Sequence, residues 1–444
     1  MTYDVISEFA LNGMDIPETS MEMASTLLID TLGVAAGAVS MEAGVIARNH
    51  AVRFHAASRA EDTATVLFDG RRASLSGAAF AAASQIDNLD AHDGYNPTKG
   101  HIGCAVVPAL CAYGEHHPDL PARDALAALA MSYEVAARAA IALHGTVSDY
   151  HTSGAWNALG VAALGCRLQG LDADVLRHAL GIAEYHGPRS QMMREIATPT
   201  MLHDGSGMGA LVGMMAVAMA EDGFKGAPAI TVEAEDVARY WADLGDDWTI
   251  EKNYIKPYPI CRWAHAAIDG LQQVVREHGL VADDIAAIEV ATFAQSAALF
   301  PAMPTTSSQA QYSLAFAMSA WLVNGHLGPD QITGAGLSDP AVADVVAKIT
   351  VREDPRISAM YPAHRCSQLV VTLTDGRVIE TGDVHARGGP EAPMAMDEVE
   401  AKFHVMAAAL PDERRAAIWA MRARLLEPDA RFSELLDLIH GGVA

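Results

Sequence analysis

Between residues 85 and 108 the sequence crowds carboxylates, imidazoles, an ammonium and turn formers into one stretch: Asp87, Asp90, His92, Asp93, Lys99 and His101, with Gly94, Pro97, Gly100 and Gly103 among them. Such side chains, held on a loop between two apolar helices, are equipped to move protons or to bind a carboxylate. A calcium loop needs the spacing D-x-[DN]-x-[DN]-G, which this stretch lacks, and Lys99 would repel the ion. A second cluster, Asp149-Tyr-His151-Thr-Ser153, stands just before an apolar helix, where its hydroxyls also suit capping. A third runs from Arg194 to Gly205 and sets His203 and Asp204 at a helix entrance, where the helix dipole favours an anion. The fourth, Lys256-Pro-Tyr258-Pro-Ile-Cys261-Arg262-Trp-Ala-His265, joins an ammonium, a guanidinium fork and aromatic rings, a set suited to recognising a carboxylate substrate.

Other chemistries fit poorly. No G-x-S-x-G elbow announces a serine nucleophile. His116-His117 and His364-Arg365-Cys366 have the wrong spacing for zinc, so no metal is expected. Gly205-Ser-Gly207-Met-Gly209-Ala210 formally satisfies a dinucleotide fingerprint, but Thr198 to Asp204 before it is not a β-branched strand, and close helix packing is the better reading. Thirty basic against fifty-five acidic residues, a net charge of −25, argue against a nucleic-acid or anionic-membrane surface. The densest apolar run, Met208 to Ala220, ends at Glu221-Asp222, short of the ~18 residues of a membrane span, and the start lacks the pattern of a signal peptide. Cys104, Cys111, Cys166, Cys261 and Cys366 are scattered and odd in number, which fits free thiols and a soluble cytosolic protein.

The elements that must position these clusters are of two textures. Helical spacing of apolar residues predicts helices over Ser20–Ala38, Arg123–Leu143, Ala155–Gln169, Ala173–Glu184 and Gly207–Glu221, with Asp172 as a cap and Asp222-Gly223 as a stop. Several are apolar nearly all round and belong in an interior. A short hairpin is expected at Thr63–Phe68 and Arg71–Leu75. Further on, Ile285–Phe293 and Ile349–Arg352 read as strands, Gln368–Thr374 and Arg377–Glu380 as a hairpin turning at Asp375-Gly376, and Ala264–His278, Ser313–Val323 and Asp339–Lys348 as helices. Asp397–Ala409 and Asp412–Leu426 return to helix. The fold class is therefore mainly α: a large helical domain over residues 1–258, an inserted smaller α+β domain over 259–389, and C-terminal helices over 390–444 that pack back on the first. A cleft between the two domains is the expected place for the site.

Taken in order, the motifs resemble the MmgE/PrpD family, which includes 2-methylcitrate dehydratase, cis-aconitate decarboxylase and iminodisuccinate epimerase. Leu28 to Gly37 looks like the family's early helix, Leu89-Asp-Ala-His-Asp93 with Gly100-His101 its Asp-rich loop and histidine, Tyr150-His151-Thr-Ser-Gly154 its second histidine segment and Thr200-Met-Leu-His203-Asp-Gly205 its third. Lys256 to Trp263 resembles the hinge motif, and Tyr361-Pro-Ala, the Asp375-Gly376 hairpin and Gly389-Pro-Glu-Ala-Pro393 complete the series from about residue 5 to residue 430. The resemblance implies a large all-helical domain with an α+β lid, commonly a homodimer, and cofactor-free chemistry on small polycarboxylates. The chain departs from the pattern at His92-Asp93, where family lyases carry consecutive aspartates, and at Ile102, where they carry proline. It also has Thr200 where many members have lysine, and Cys261 where the decarboxylase has histidine.

The expected reaction is that of a lyase, which abstracts a proton α to a carboxylate and expels a β-leaving group. Lys256, Arg262 and Lys99 are the cations available to the developing charge, and Tyr258, Cys261 and His265 complete the expected substrate-binding set. His101 or His151 fits a base near neutral pH, Asp93 an orienting group or acid, and His203 a proton donor or carboxylate ligand. Reprotonation of the same carbanion would make an epimerase or isomerase, and loss of CO₂ a decarboxylase. A carboxylate-binding homologue without chemistry is the reading from another class.

Overall fold

A computed structural model describes residues 3–12 and 15–443. With 59% of residues helical and few strands, the protein is mainly α with a smaller α+β part. The chain divides into two compact units. The larger comprises residues up to 192, 202–253 and 403 onward; the smaller comprises 193–201 and 254–402. The short segment 193–201 thus joins the smaller unit, which the sequence pattern did not suggest.

In the larger unit, α1 (Glu18–Gly37), α2 (Leu75–Leu89), α3 (Gly103–Gly114), α4 (Ala122–Thr146), α5 (Gly154–Leu168) and α6 (Ser206–Glu221) are buried on most sides and pack on one another. Small residues allow this. A methyl group on Gly213 of α6 would stand 2.6 Å from the Ala158 carbonyl of α5, and one on Gly160 of α5 2.7 Å from the Ser132 carbonyl of α4. The α5–α6 and α4–α5 crossings therefore need glycine. The Gly205–Ala210 stretch is a helix start: Gly205 takes a left-handed conformation at φ 68° and α6 follows directly, so close packing, not a dinucleotide loop, accounts for its glycines. Among the described residues, the helix with the length and mean hydropathy to cross a membrane is α4, and 89% of its apolar window is buried within the protein. The expected hairpin is present but shorter than its sequence signal. Strands β1 (Thr63–Thr65) and β2 (Arg72–Ser74) pair in antiparallel register, Thr63 opposite Ser74. Ser74 then caps α2 by accepting from Gly77 N at 3.1 Å.

The smaller unit is built on a five-stranded sheet. Strand β3 (Ile285–Thr292) lies parallel to β4 (Ile349–Glu353) and antiparallel to β5 (Cys366–Leu373), which continues to β6 (Val378–Glu380) and also pairs with β7 (Val384–His385). On β5, Leu369, Val371 and Leu373 are buried, the period-two alternation of a strand with one covered face. The helices α7 (His265–His278) and α8 (Leu314–Asn324) pack on each other, and α7 lies on β5, where Gly270 lets the helix approach Leu369.

Candidate active site

In the larger unit the loop after α2 doubles back within twelve residues. Asp90 ends α2 in a left-handed conformation at φ 56°, Tyr95 N donates to the Gly100 carbonyl at 3.1 Å, and Lys99 is again left-handed at φ 56°. The return brings His101 against the start of the loop: its Nδ1 lies 2.6 Å from the Asp93 main-chain oxygen. A carbonyl can only accept, so Nδ1 carries the proton and Nε2 presents its lone pair. That Nε2 lies 3.6 Å from Asp204 Oδ2. Asp204 is fixed in turn, since its Oδ1 accepts from the Ser153 hydroxyl at 2.6 Å and the Ser153 amide at 3.2 Å, while Ser153 Oγ accepts from His101 N at 2.9 Å. The result is a buried imidazole with a fixed tautomer and a carboxylate placed to stabilise it once protonated.

The Asp93 side chain does something other than orient the imidazole. Its Oδ1 accepts from the Tyr133 hydroxyl at 3.1 Å and faces Thr31 Oγ1 at 3.5 Å, while Oδ2 meets no protein donor. Complete burial pushes this carboxyl up to about 7; the Tyr133 hydrogen bond opposes the shift and the nearby Asp30 charge adds to it. Near neutral pH it can hold a proton and give it away. Gly103 is a packing requirement here, because a side chain would strike Asp93 Oδ1 and the Tyr133 hydroxyl.

A second group adjoins the first through residues 99–101 and 150–153. The Tyr150 hydroxyl donates to the Lys99 carbonyl, and Lys99 Nζ lies over the Tyr150 ring at 5.6 Å from its centre. The His151 amide donates to His144 Nε2 at 3.2 Å, and the two rings stack at 6.4 Å. Burial, helped by Arg189, holds His151 below the usual imidazole range. Burial pushes His144 down to about 4, and the Lys99 and His151 charges act in the same direction. His203 is buried at the turn before α6, in a left-handed conformation at φ 46°, next to Asp204.

The remaining expected site residues lie in the smaller unit. Lys256 and His265 are buried, and the Lys256 and Arg262 charges act with burial to keep His265 well below its usual range. His265 is therefore a neutral imidazole; its Nε2 lies 3.1 Å from the Ile260 carbonyl and its ring 5.1 Å from that of Tyr258. The Tyr258 hydroxyl is committed to a buried network, donating to Asp269 at 2.7 Å and accepting from Gln272 at 2.5 Å and Arg387 at 3.2 Å. Cys261 is buried, with its amide on the Gln311 carbonyl at 2.8 Å. Arg262 lies over the Tyr254 ring at 4.3 Å and donates to the carbonyls of Arg387 and Ala386.

The sequence reading placed Ser153, Asp204 and His92 inside its polar clusters but gave none of them a role in the site. His92 is fully buried, edge-on to His101 with ring centres 4.4 Å apart, and its Nε2 is 3.8 Å from Asp87 Oδ1. Their only signal was adjacency to residues that were singled out. Two overlapping sets offer metal-ligand atoms within 4.8 Å of one another: Asp90, His92 and His101, and Asp87, His92 and Cys104. The second set fits an ion poorly as it stands, because burial raises the Cys104 thiol well above its ordinary range and its sulfur faces Ser206 Oγ at 3.1 Å.

Sequence models of two family domains match the chain: the MmgE/PrpD N-terminal domain over residues 6–247 and the MmgE/PrpD C-terminal domain over residues 258–426. A curated protein of Aspergillus oryzae, the cis-aconitate decarboxylase-like protein oryM, is 25% identical, with 97% of this chain and 95% of that protein aligned.

Proposed function

The chain belongs to the MmgE/PrpD family, whose members are dehydratase- and decarboxylase-type enzymes, and from that premise we propose that it is a cofactor-independent lyase acting on a small di- or tricarboxylate. His101 is the base. With Nδ1 held by the Asp93 carbonyl, Nε2 takes the proton α to a carboxylate, and the imidazolium that forms is stabilised by Asp204 at 3.6 Å. The electron pair left on carbon is delocalised into the carboxylate, where fixed positive charge is needed to stabilise it. It then forms the carbon–carbon double bond as the β carbon–oxygen bond breaks. The departing hydroxyl leaves as water with a proton from a neutral acid, the role assigned to Asp93, with His151 and His203 as further proton carriers or carboxylate ligands and Lys99 as a further cation.

The observation that carries this reading is the fixed tautomer of a buried histidine facing a carboxylate. The likeness to a cis-aconitate decarboxylase-like protein supports a second reaction at the same anion-stabilising site, in which the carbon–carboxylate bond breaks without prior loss of an α-proton, CO₂ leaves, the electron pair stays on carbon and the acid protonates that carbon. A homodimer in the cytosol is part of the proposal; Cys104, Cys111, Cys166 and Cys366 are buried free thiols, in keeping with a reducing compartment.

Proton NMR in D₂O with hydroxy-, amino- and unsaturated di- and tricarboxylates tests it. New vinyl signals establish elimination, and CO₂ with a shortened product establishes decarboxylation. Solvent deuterium at the α carbon without a new product, or a new diastereomer, establishes an epimerase. His101→Ala should lower kcat by ~10²-fold or more while the fold persists; an unimpaired variant would remove His101 from the mechanism. Binding of polycarboxylates with no exchange into any of them would favour a homologue that only binds.

A further inference from the structure

Beside Arg262 in the smaller unit stand two residues to which no role has been given. Arg365, at the entry to β5, is buried; it donates through Nη1 to the Pro362 carbonyl and lies over the Tyr361 ring at 5.0 Å. The Tyr361 ring is stacked on Phe293 at 5.2 Å and meets Trp263 edge-on at 6.2 Å, so it cannot easily turn. Three buried donors in this group meet no protein acceptor: Arg262 Nε, Arg365 Nε and the Tyr361 hydroxyl. The guanidiniums lie in each other's field, and burial with that repulsion draws Arg262 down to about 10.

Neither arginine forms an ion pair among the described residues. Of the acids that face Arg262, Asp269 is occupied by the Arg387 amide at 2.8 Å, Arg387 Nε at 3.1 Å and the Tyr258 hydroxyl, and Glu391 makes no ion pair with either arginine, its Oε1 lying 3.6 Å from His364 Nδ1. Proteins keep buried cations paired and buried donors bonded, because an unpaired one is costly. Two unpaired guanidiniums and a pinned hydroxyl with an open donor therefore call for an anion.

We propose that Arg365, with Arg262 and the Tyr361 hydroxyl, forms an anion subsite that holds a substrate carboxylate other than the one activating the α-proton. The inference deepens the polycarboxylate reading and rests on it. It requires a substrate with at least two carboxylates, and it makes Arg365 and Tyr361 specificity residues: they contact the substrate away from the reacting carbon and select against monoacids.

The test is calorimetric titration of the full-length protein with tricarballylate, which carries three carboxylates and no leaving group, alongside propionate and inorganic phosphate. Charge-assisted bonds of this kind make Arg365→Gln bind tricarballylate ~10- to 100-fold more weakly, and Tyr361→Phe about 3- to 10-fold more weakly, with Arg365→Lys between Arg365→Gln and the native protein. The unliganded melting temperature should not fall in Arg365→Gln, since an unpaired buried charge has been removed. If that variant fails to fold, Tyr361→Phe decides. Native affinity in both Arg365→Gln and Tyr361→Phe, with binding abolished by Lys256→Met, overturns the subsite and leaves the polycarboxylate reading intact. A native protein that binds no polycarboxylate overturns both. Phosphate bound through Arg365 in preference to tricarballylate overturns the assignment to a substrate carboxylate.

Discussion

Replacing Asp93 by asparagine separates the cost of its burial from every other pH effect in the protein. The native carboxyl titrates at about 7, against an ordinary value of 3.8, because it is wholly buried. The folded state therefore holds this proton more tightly than the unfolded chain. Below pH ~3.8 both states are protonated and the group is neutral in its effect. As pH rises from there to 7 the unfolded chain loses its proton first, and stability falls by about 1.4 kcal/mol per pH unit; above 7 the loss is complete. Between pH 5 and pH 8.5 the two units from 5 to 7 count, giving about 3 kcal/mol from this single group. Asparagine keeps an oxygen for the Tyr133 hydroxyl and cannot ionise, so the variant escapes that loss. With an unfolding entropy of about 2 cal/mol/K per residue, the melting temperature of Asp93→Asn relative to the native protein should rise by about 3 °C on going from pH 5 to pH 8.5. Comparing the two proteins at each pH cancels the constant cost of burying an amide. A difference in melting temperature that stays flat across this range, or moves the other way, refutes the account of Asp93 as a buried acid. The same substitution should lower kcat by ~10²-fold or more, the scale of a lost general acid.

Three further outcomes follow from the geometry. Asp204→Asn retains an oxygen for Ser153 but loses the charge facing His101 Nε2, so kcat should fall about 10- to 100-fold with little change in KM; equal losses in both would mean that Asp204 serves binding instead. Gly103→Ala puts a methyl group against Asp93 Oδ1 and the Tyr133 hydroxyl and should destabilise by about 1–3 kcal/mol while lowering activity, read by chemical denaturation and turnover. Dialysis against a strong chelator should leave turnover unchanged; a loss restored by one added metal would show instead that the Asp90, His92 and His101 set holds an ion.

The helices of the larger unit were legible because burial on most sides leaves a plain apolar signature, as in Ser206–Glu221, whose predicted start at Gly207 missed by one residue. The hairpin at Asp375-Gly376 was equally clear, since its turn residues and alternating flanks agree. The parallel pairing of Ile285–Thr292 with Ile349–Glu353 was not, because nothing local specifies which distant strand is a neighbour. Glu42–Phe54 went unread, its many polar residues and modest apolar face giving little periodicity. At the site, residue types pointed to His101 and Asp93 but not to how they meet. It is the Asp93 main chain that orients the imidazole, and a carboxylate some hundred residues later, Asp204, that faces its other nitrogen. Main-chain atoms and long-range partners carry no mark in a sequence.

Of the four non-glycine residues with positive φ among the described residues, three surround the candidate site: Asp90, Lys99 and His203. Each such conformation disfavours the backbone by roughly 1–2 kcal/mol, and tightly packed helices nearby carry no comparable strain. On warming, the loops that hold the chemistry are thus the first to gain by letting go. Catalysis should fade several degrees before helical circular dichroism does, and a chain selected only for heat resistance would drift toward glycine at residues 90, 99 and 203, trading a held geometry for a relaxed one.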